Sequence, residues 1–206
     1  MILSTQNRLR MLVYLGAGLL IAAGFFTDGP KVAGITVGRL GIVSSVMVAA
    51  ITVFNRWLWR LPPVVRILRT GPVLRGTWKG ELISTHDNVR RTVYLAVRQT
   101  FAEIEVRMLT EESTSETSSC QLMRKAEGLS VLEYSYGNVP RATVRDRSEV
   151  HFGAARLECT GQQPTRIEGA YWTDRRTTGE MDLVRHCDAI LQTFADAEAQ
   201  SNANAR

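Results

Sequence analysis

The sequence predicts an N-terminal two-helix transmembrane hairpin followed by an all-β domain, an eight-stranded antiparallel up-and-down barrel with a short C-terminal helix. Three observations carry this. Residues 11–26 hold no charge and residues 32–54 hold only Arg39, so two apolar segments open the chain. From Gly76 the hydrophobic period changes from helical to two-residue and stays so for about a hundred residues. After Asp188, Ile190, Phe194 and Ala197 return to helical spacing.

Each apolar segment, read as a helix rising ~1.5 Å per residue, approaches the ~30 Å of a hydrocarbon core. Thr27-Asp28-Gly29-Pro30 between them has turn composition, so the two are expected to be antiparallel neighbours. Arg8 and Arg10 precede the first span, and Arg56, Arg60, Arg66 and Arg69 follow the second. The positive-inside rule then places both termini in the cytoplasm, with a multi-pass position in the membrane. Trp57 and Trp59 have the composition of an interfacial belt. A cleaved signal peptide is the competing reading of residues 8–24, and the second apolar segment argues against it. Small residues at four-residue spacing (Gly18 with Ala22, Gly34 with Gly38, Ser45 with Ala49) suit close packing of helices in lipid.

The net charge of +5 is unevenly divided. Residues 1–71 hold 8 basic side chains against 1 acidic, whereas residues 72–206 hold 17 against 19. Basicity therefore belongs to the membrane flanks, and a DNA- or RNA-binding surface on the β domain loses its warrant. Cys120, Cys159, Cys187 and His86, His151, His186 lack metal-ligand spacing, so no metal site is expected, and dispersed thiols suit a reducing compartment.

Leu61-Pro62-Pro63 stops the second helix, and residues 64–70 give one or two turns of juxtamembrane link. Residues 76–84 then place Trp78, Gly80, Leu82 and Ser84 on one face, before a hairpin turn at His86-Asp87-Asn88. Residues 91–99 direct Val93, Leu95, Val97 and Gln99 inward, and residues 102–110 direct Ile104, Val106, Met108 and Thr110 inward. Hydroxyls recur every second residue in 113–122, a strand with a polar inner face. Residues 129–136 align Leu132, Tyr134 and Tyr136, and a longer loop is expected from Gly137 through Arg147. Residues 149–158 align His151, Gly153, Ala155 and Leu157. Residues 166–174 and 176–185 complete eight strands, and Asp188 is expected to cap a helix over residues 189–199. Sequential, alternating strands with hairpin-length connections are the pattern of a closed, lipocalin-like barrel, and charged outward faces make it one that lies outside lipid. The domains are expected at 1–60, 61–75, 76–187 and 188–206.

The inner face is unusually polar. Residues 169–179, if their alternation is unbroken, put Tyr171, Thr173 and Arg175 on one side, and Thr110, Ser115, Thr117, Tyr134, Tyr136 and His151 join them. Buried hydroxyls must be hydrogen-bonded or cost ~1–3 kcal/mol each, so a set sharing one cavity favours a polar ligand. Tyrosines stack on bases, while Arg, Ser and Thr donate to phosphates and base edges. The competing reading makes the Tyr and Thr ordinary strand residues and places Arg175 in a solvated turn with Asp174 and Arg176. No nucleotide-hydrolysing, esterase or metal motif occurs, so no enzyme and no cofactor are expected.

Two N-terminal spans, Gly76-Thr77-Trp78-Lys79-Gly80, the Ser/Thr ladder 110–119, Tyr134-Ser135-Tyr136-Gly137-Asn138, His151-Phe152-Gly153 and residues 169–179 together resemble the SMODS-associated, two-transmembrane, β-strand-rich effectors, the family of CD-NTase-associated protein fifteen. Phe101 stands where that resemblance would lead one to expect Trp. The resemblance implies an effector of cyclic-oligonucleotide-based antiphage signalling (CBASS). A partner nucleotidyltransferase, the CD-NTase, would make a cyclic di- or trinucleotide, the barrel would bind it, and the effector would self-associate and breach the inner membrane. Ligand-binding candidates are Thr110, Ser115, Tyr134, Tyr136, His151, Tyr171, Thr173 and Arg175. Two further readings stay open: a membrane-tethered carrier of an apolar ligand, and an assembly scaffold whose barrel is filled by its own side chains.

Overall fold

A computed structural model describes residues 10–18, 37–68, 71–125 and 128–204. Among them the chain forms two compact units. One is the barrel, residues 71–99 and 104–206; the other holds the N-terminal helices with residues 100–103.

The barrel has eight strands: β1 (Gly76–Ser84), β2 (Arg90–Gln99), β3 (Ile104–Leu109), β4 (Ser113–Arg124), β5 (Leu129–Pro140), β6 (His151–Thr160), β7 (Arg166–Thr173) and β8 (Thr178–Cys187). Each is antiparallel to its neighbours, and β8 returns to β1, closing the sheet in sequence order. Two-residue alternation makes this possible, because closure leaves every strand with one face to fill a core and one to meet water. Trp78, Leu82, Val93, Leu95, Val97, Leu132, Leu157, Ile167 and Leu183 fill the interior.

One end of the barrel is sealed by the chain that enters it. The Gln99 side-chain oxygen accepts from the Leu74 and Arg75 backbone N–H groups at 2.7 and 3.2 Å, and its amide donates to the Pro72 carbonyl at 3.0 Å. The Trp78 indole donates to the Leu74 carbonyl at 2.8 Å. Gln99, an inward residue in the sequence pattern, thus closes this end through backbone groups that burial would otherwise leave unpaired.

On the outside of β2 and β3, five consecutive residues from Val93 to Val97 are buried. The outward ones, Tyr94 and Ala96, are inaccessible because the C-terminal segment covers this wall: Tyr94 and Leu109 pack with Ala197, Leu191 and Phe194. The final helix, α4, runs Phe194–Asn204 rather than 189–199, and its cap is Thr193, not Asp188. Thr193 Oγ1 accepts from the Asp196 N–H at 3.1 Å and donates to the Asp196 carboxylate at 2.7 Å. Residues 189–191 are kept out of the helix by Thr77, whose hydroxyl donates to the Ala189 carbonyl at 2.7 Å and accepts from the Leu191 N–H at 3.1 Å.

Two other expectations are corrected. Strand β5 continues through Pro140, because residues 137–140 pair with β4, and Gly137 and Asn138 with β6 as well, where a loop was expected. The alternation of residues 169–179 breaks at a hairpin turn: the Thr173 N–H donates to the Thr177 carbonyl at 2.9 Å, and Arg176 adopts φ 63°.

In the helical unit, α1 covers residues 10–18, α2 Val37–Arg56 and α3 Pro62–Leu68, with a 3-10 turn at Leu58–Arg60. Gly16 lets α1 approach Met47 and Ile51 of α2 closely. Trp57 is exposed, whereas Trp59, expected beside it in an interfacial belt, is fully buried. Phe54 meets Phe101 edge-on at 5.1 Å, so an aromatic at 101 serves packing in this unit. The expected turn at 27–30, the second half of the first span (19–26) and the start of the second (32–36) lie outside the described residues.

The multi-pass inner-membrane placement, with both termini cytoplasmic, is overturned: among the described residues no helix is long and apolar enough to cross a membrane. Arg39 and Arg56 bracket the uncharged part of α2 at residues 40–55. At 1.5 Å per residue that stretch reaches only ~24 Å, short of the ~30 Å hydrocarbon core.

Thr77→Val should detach residues 189–191 while leaving the barrel closed. Loss of two hydrogen bonds predicts a destabilisation of ~1–2 kcal/mol in urea unfolding.

Candidate functional site

The end of the barrel opposite the Gln99 seal is built differently. Inward positions on β4 to β7 carry Ser115, Tyr134, Tyr136, Asn138, His151, Tyr171 and Thr173. Of the candidates read from sequence, the structure brings Ser115, Tyr134, Tyr136 and Tyr171 together as buried interior residues. The Tyr134 and Tyr136 rings stand 5.9 Å apart.

Two glycines shape the surfaces around these rings. A Cβ at Gly153 would come within 2.5 Å of the Tyr136 hydroxyl oxygen, and one at Gly179 within 2.5 Å of the Tyr171 ring. Each tyrosine therefore lies against backbone that only glycine leaves bare.

Thr110, Thr173 and His151 sit at the rim, where each already has a partner. Thr110 Oγ1 donates to the Ser113 carbonyl at 3.1 Å, Thr173 and Thr177 share a hydroxyl contact of 2.6 Å, and His151 Nδ1 lies 3.2 Å from the Glu149 carbonyl. Arg175 does not join the inner face. The β7–β8 turn carries it outward, exposed, where its guanidinium donates to the Glu149 carbonyl.

Two interior polar atoms stand out energetically. The Tyr134 hydroxyl and Ser115 Oγ are buried with no hydrogen-bond partner. Leaving such groups unsatisfied costs ~1–3 kcal/mol each. Thr117, expected to join them, is instead spent on the wall: its hydroxyl accepts from the Val106 N–H at 2.9 Å and donates to the Val106 carbonyl at 2.5 Å, beside the β-bulge at Thr117/Ser119.

Burial pushes the Tyr134 and Tyr136 phenols well above their ordinary range, with the fields of Tyr136 and Cys120 adding to the first and those of Tyr171 and Asp174 to the second. Burial likewise moves the Cys120 thiol up to about 12 and the Cys159 thiol to about 11. These are neutral, unreactive groups in a low-dielectric interior.

Arg91 is the charged residue that the sequence reading missed. It continues the inward parity of Val93, Leu95 and Val97, and that parity was its available signal. It stands at the rim in a two-pronged pair with Asp87, one bond being 3.0 Å, and the Asp87 carboxylate also accepts from the Val89 N–H at 3.1 Å. The hydrogen bond to Arg91 holds the Asp87 carboxyl well below the usual range, and the fields of Glu112 and Tyr171 reach the guanidinium. Asn138 and Ser84, both buried and inward, are two more polar groups at this end. The arrangement offers aromatic faces, unpaired hydroxyls and a guanidinium at one opening.

The family model described as "Cap15, cyclic dinucleotide receptor domain" matches residues 70–185, which run from the chain entering the barrel to near the end of β8. The chain belongs to this family. It is similar to CD-NTase-associated protein 15 of Staphylococcus schleiferi, 25% identical over 128 residues, covering 62% of this chain and 66% of that relative. The matched part is thus just under two thirds of the relative's length. The Cap15 match lies on the barrel, where all eight candidates from the sequence reside. Among the described residues no group of His, Cys, Asp or Glu could hold a metal ion.

Ionising Tyr134 or Tyr136 should cost more in the folded chain than in the unfolded one. Their raised values predict stability that is complete below the ordinary phenol value of ~10 and declines as pH rises above it. Urea midpoints at pH 8 and pH 11 test this, and Tyr134→Phe should reduce the difference.

Proposed function

We propose that the barrel is the sensing module of a CBASS defence effector and binds a cyclic dinucleotide at its Tyr136/Tyr171 end. The observation that carries this reading is the pair of unpartnered buried hydroxyls, Tyr134 and Ser115, in a family described as cyclic dinucleotide receptors. A structural core rarely keeps such groups, whereas a receptor needs donors and acceptors ready for an incoming polar ligand. Tyr136 and Tyr171 supply ring faces for bases. Arg91, already ionised and oriented by Asp87, supplies a fork suited to a phosphodiester.

In this reading a CD-NTase makes the nucleotide and the barrel acts by binding, without catalysis. Binding is coupled to self-association, which requires that nucleotide affinity differ between the single and the assembled chain. Breaching of a bilayer by paired N-terminal spans forms no part of the reading.

Thermal unfolding of the full chain against cyclic di-AMP, cyclic di-GMP, cyclic GMP–AMP and cyclic trinucleotides tests it. At ~100 times its dissociation constant a specific ligand adds ~2.7 kcal/mol, which raises the midpoint by several degrees. The effect should vanish in Tyr171→Ala and shrink in Arg91→Gln. Tyr134→Phe carries a sharper expectation. It removes an unsatisfied hydroxyl, so the unliganded chain should be as stable or up to ~1–2 kcal/mol more stable, yet bind the nucleotide more weakly. No midpoint rise with any cyclic nucleotide would refute the reading.

A further inference from the structure

The polar interior of the barrel is closed to a ligand. The continuous sheet bars the sides, and Gln99 with the chain it holds bars one end. At the other end Tyr136, Asn138 and Tyr171 are buried, and the Tyr134 hydroxyl and Ser115 Oγ have essentially no accessible surface. A ligand that pairs with those atoms therefore needs part of this end to move.

Four connections border that end, and three of them are short and fixed. The β1–β2 turn is bonded to the start of β8: the Thr85 N–H donates to the Thr178 carbonyl at 2.8 Å, and Thr85 Oγ1 accepts from the Thr178 N–H at 3.2 Å. The β3–β4 and β7–β8 turns close on themselves, Thr110 N–H to the Ser113 carbonyl at 3.0 Å and Thr173 N–H to the Thr177 carbonyl at 2.9 Å. The β5–β6 connection, residues 141–150, is longer, and all of it is exposed except the half-buried Val144 and Ser148. Its internal hydrogen bonds are local to the 3-10 turn at Ala142–Val144 and the residues just after it. Little burial and local bonding make it the segment that opens at least cost.

The Arg141 N–H, at the root of the loop, donates to the Glu112 carbonyl at 2.8 Å. Two side-chain ties hold the rest to the neighbouring turns. Arg147 pairs with Glu112 of the β3–β4 turn at 2.5 Å, and Arg175 of the β7–β8 turn donates to the Glu149 carbonyl. The first tie borders the candidate site, because the charge of Glu112 is felt at the Arg91 guanidinium, as is Tyr171. We propose that the β5–β6 loop is the gate of the barrel, latched on one side by Arg147–Glu112 and on the other by Arg175 on the Glu149 carbonyl. A phosphodiester arriving at Arg91 is a second anionic acceptor beside Glu112, so it competes for the Arg147 guanidinium and loosens the first latch. The proposal rests on the nucleotide reading above and adds how its site is entered. It also gives Arg175, which lies outside the inner face, a part in binding.

Limited trypsin digestion of the full chain, with cuts after Arg141 and Arg145 followed by mass spectrometry, tests the latches without ligand. Glu112→Gln and Arg175→Gln should each speed these cuts ~two- to fivefold, the range of an exposed tie, while the urea midpoint stays in place. Association of cyclic di-AMP, cyclic di-GMP and cyclic GMP–AMP with immobilised full chain should quicken by a similar factor for whichever of them binds. Reversing the pair, Glu112→Arg with Arg147→Glu, should return cleavage and association toward wild type, a recovery that a merely structural role for Glu112 does not give. Nucleotide association at the wild-type rate in both single variants would overturn the gate, whatever the cleavage, and leave the nucleotide reading standing. If calorimetry finds no nucleotide bound, that reading fails. Faster cleavage undone by the charge reversal would then still establish the latch, and unchanged cleavage would remove it too.

Discussion

Closure of the sheet is the constraint on which the rest depends. Once β8 pairs with β1, no strand in the barrel is an edge, and every residue is committed to the interior or the outside by its parity. A side chain then has only two addresses. Apolar parity fills the interior, and alternating arginines and carboxylates give the outer wall its ladder of ion pairs. Such exposed pairs contribute little stability individually, but they keep the wall soluble.

The two ends of the barrel solve the same problem in opposite ways. At the sealed end, Gln99 and the Trp78 indole satisfy backbone groups of the chain that crosses the opening. At the other end, hydroxyls of Tyr134 and Ser115 are left without partners, the rings of Tyr136 and Tyr171 lie on bare glycines, and Arg91 is fixed by Asp87. In the proposed function, these unsatisfied groups at one end are what an incoming polar ligand would pair with. Preorganisation of this kind lowers the ordering cost of binding.

Departures from simple alternation have local causes. Consecutive burial of Val93 to Val97 comes from α4 and residues 189–191 lying on the outer wall, and Thr77 holds them there. Thr117 leaves the polar inner set because a β-bulge turns its hydroxyl to Val106, where it stands in for a ladder partner. The helix start moved from Asp188 to Thr193 because a capping side chain only acts where the chain is free to turn, and the Thr77 hydroxyl ties down the residues between them.

Two-residue periodicity in the sequence was sufficient to determine eight strands, their order and most of the inward set, Thr117 and Arg175 excepted, because parity in a closed antiparallel sheet is a local property. It also contained Arg91, on the same parity as Val93 and Leu95, although charge made it look like an outer residue. Four things could only be decided by tertiary structure. Arg175 left the site because a hairpin turn interrupts the strand, and Trp59 is fully buried where a belt residue would be exposed. Tyr134 and Ser115 proved unpartnered, and Arg147 of the β5–β6 loop proved to pair with Glu112. Each of these depends on which distant residues come within a few ångströms, and that is set by register and by what packs outside the strand, neither of which is written in any single stretch of chain.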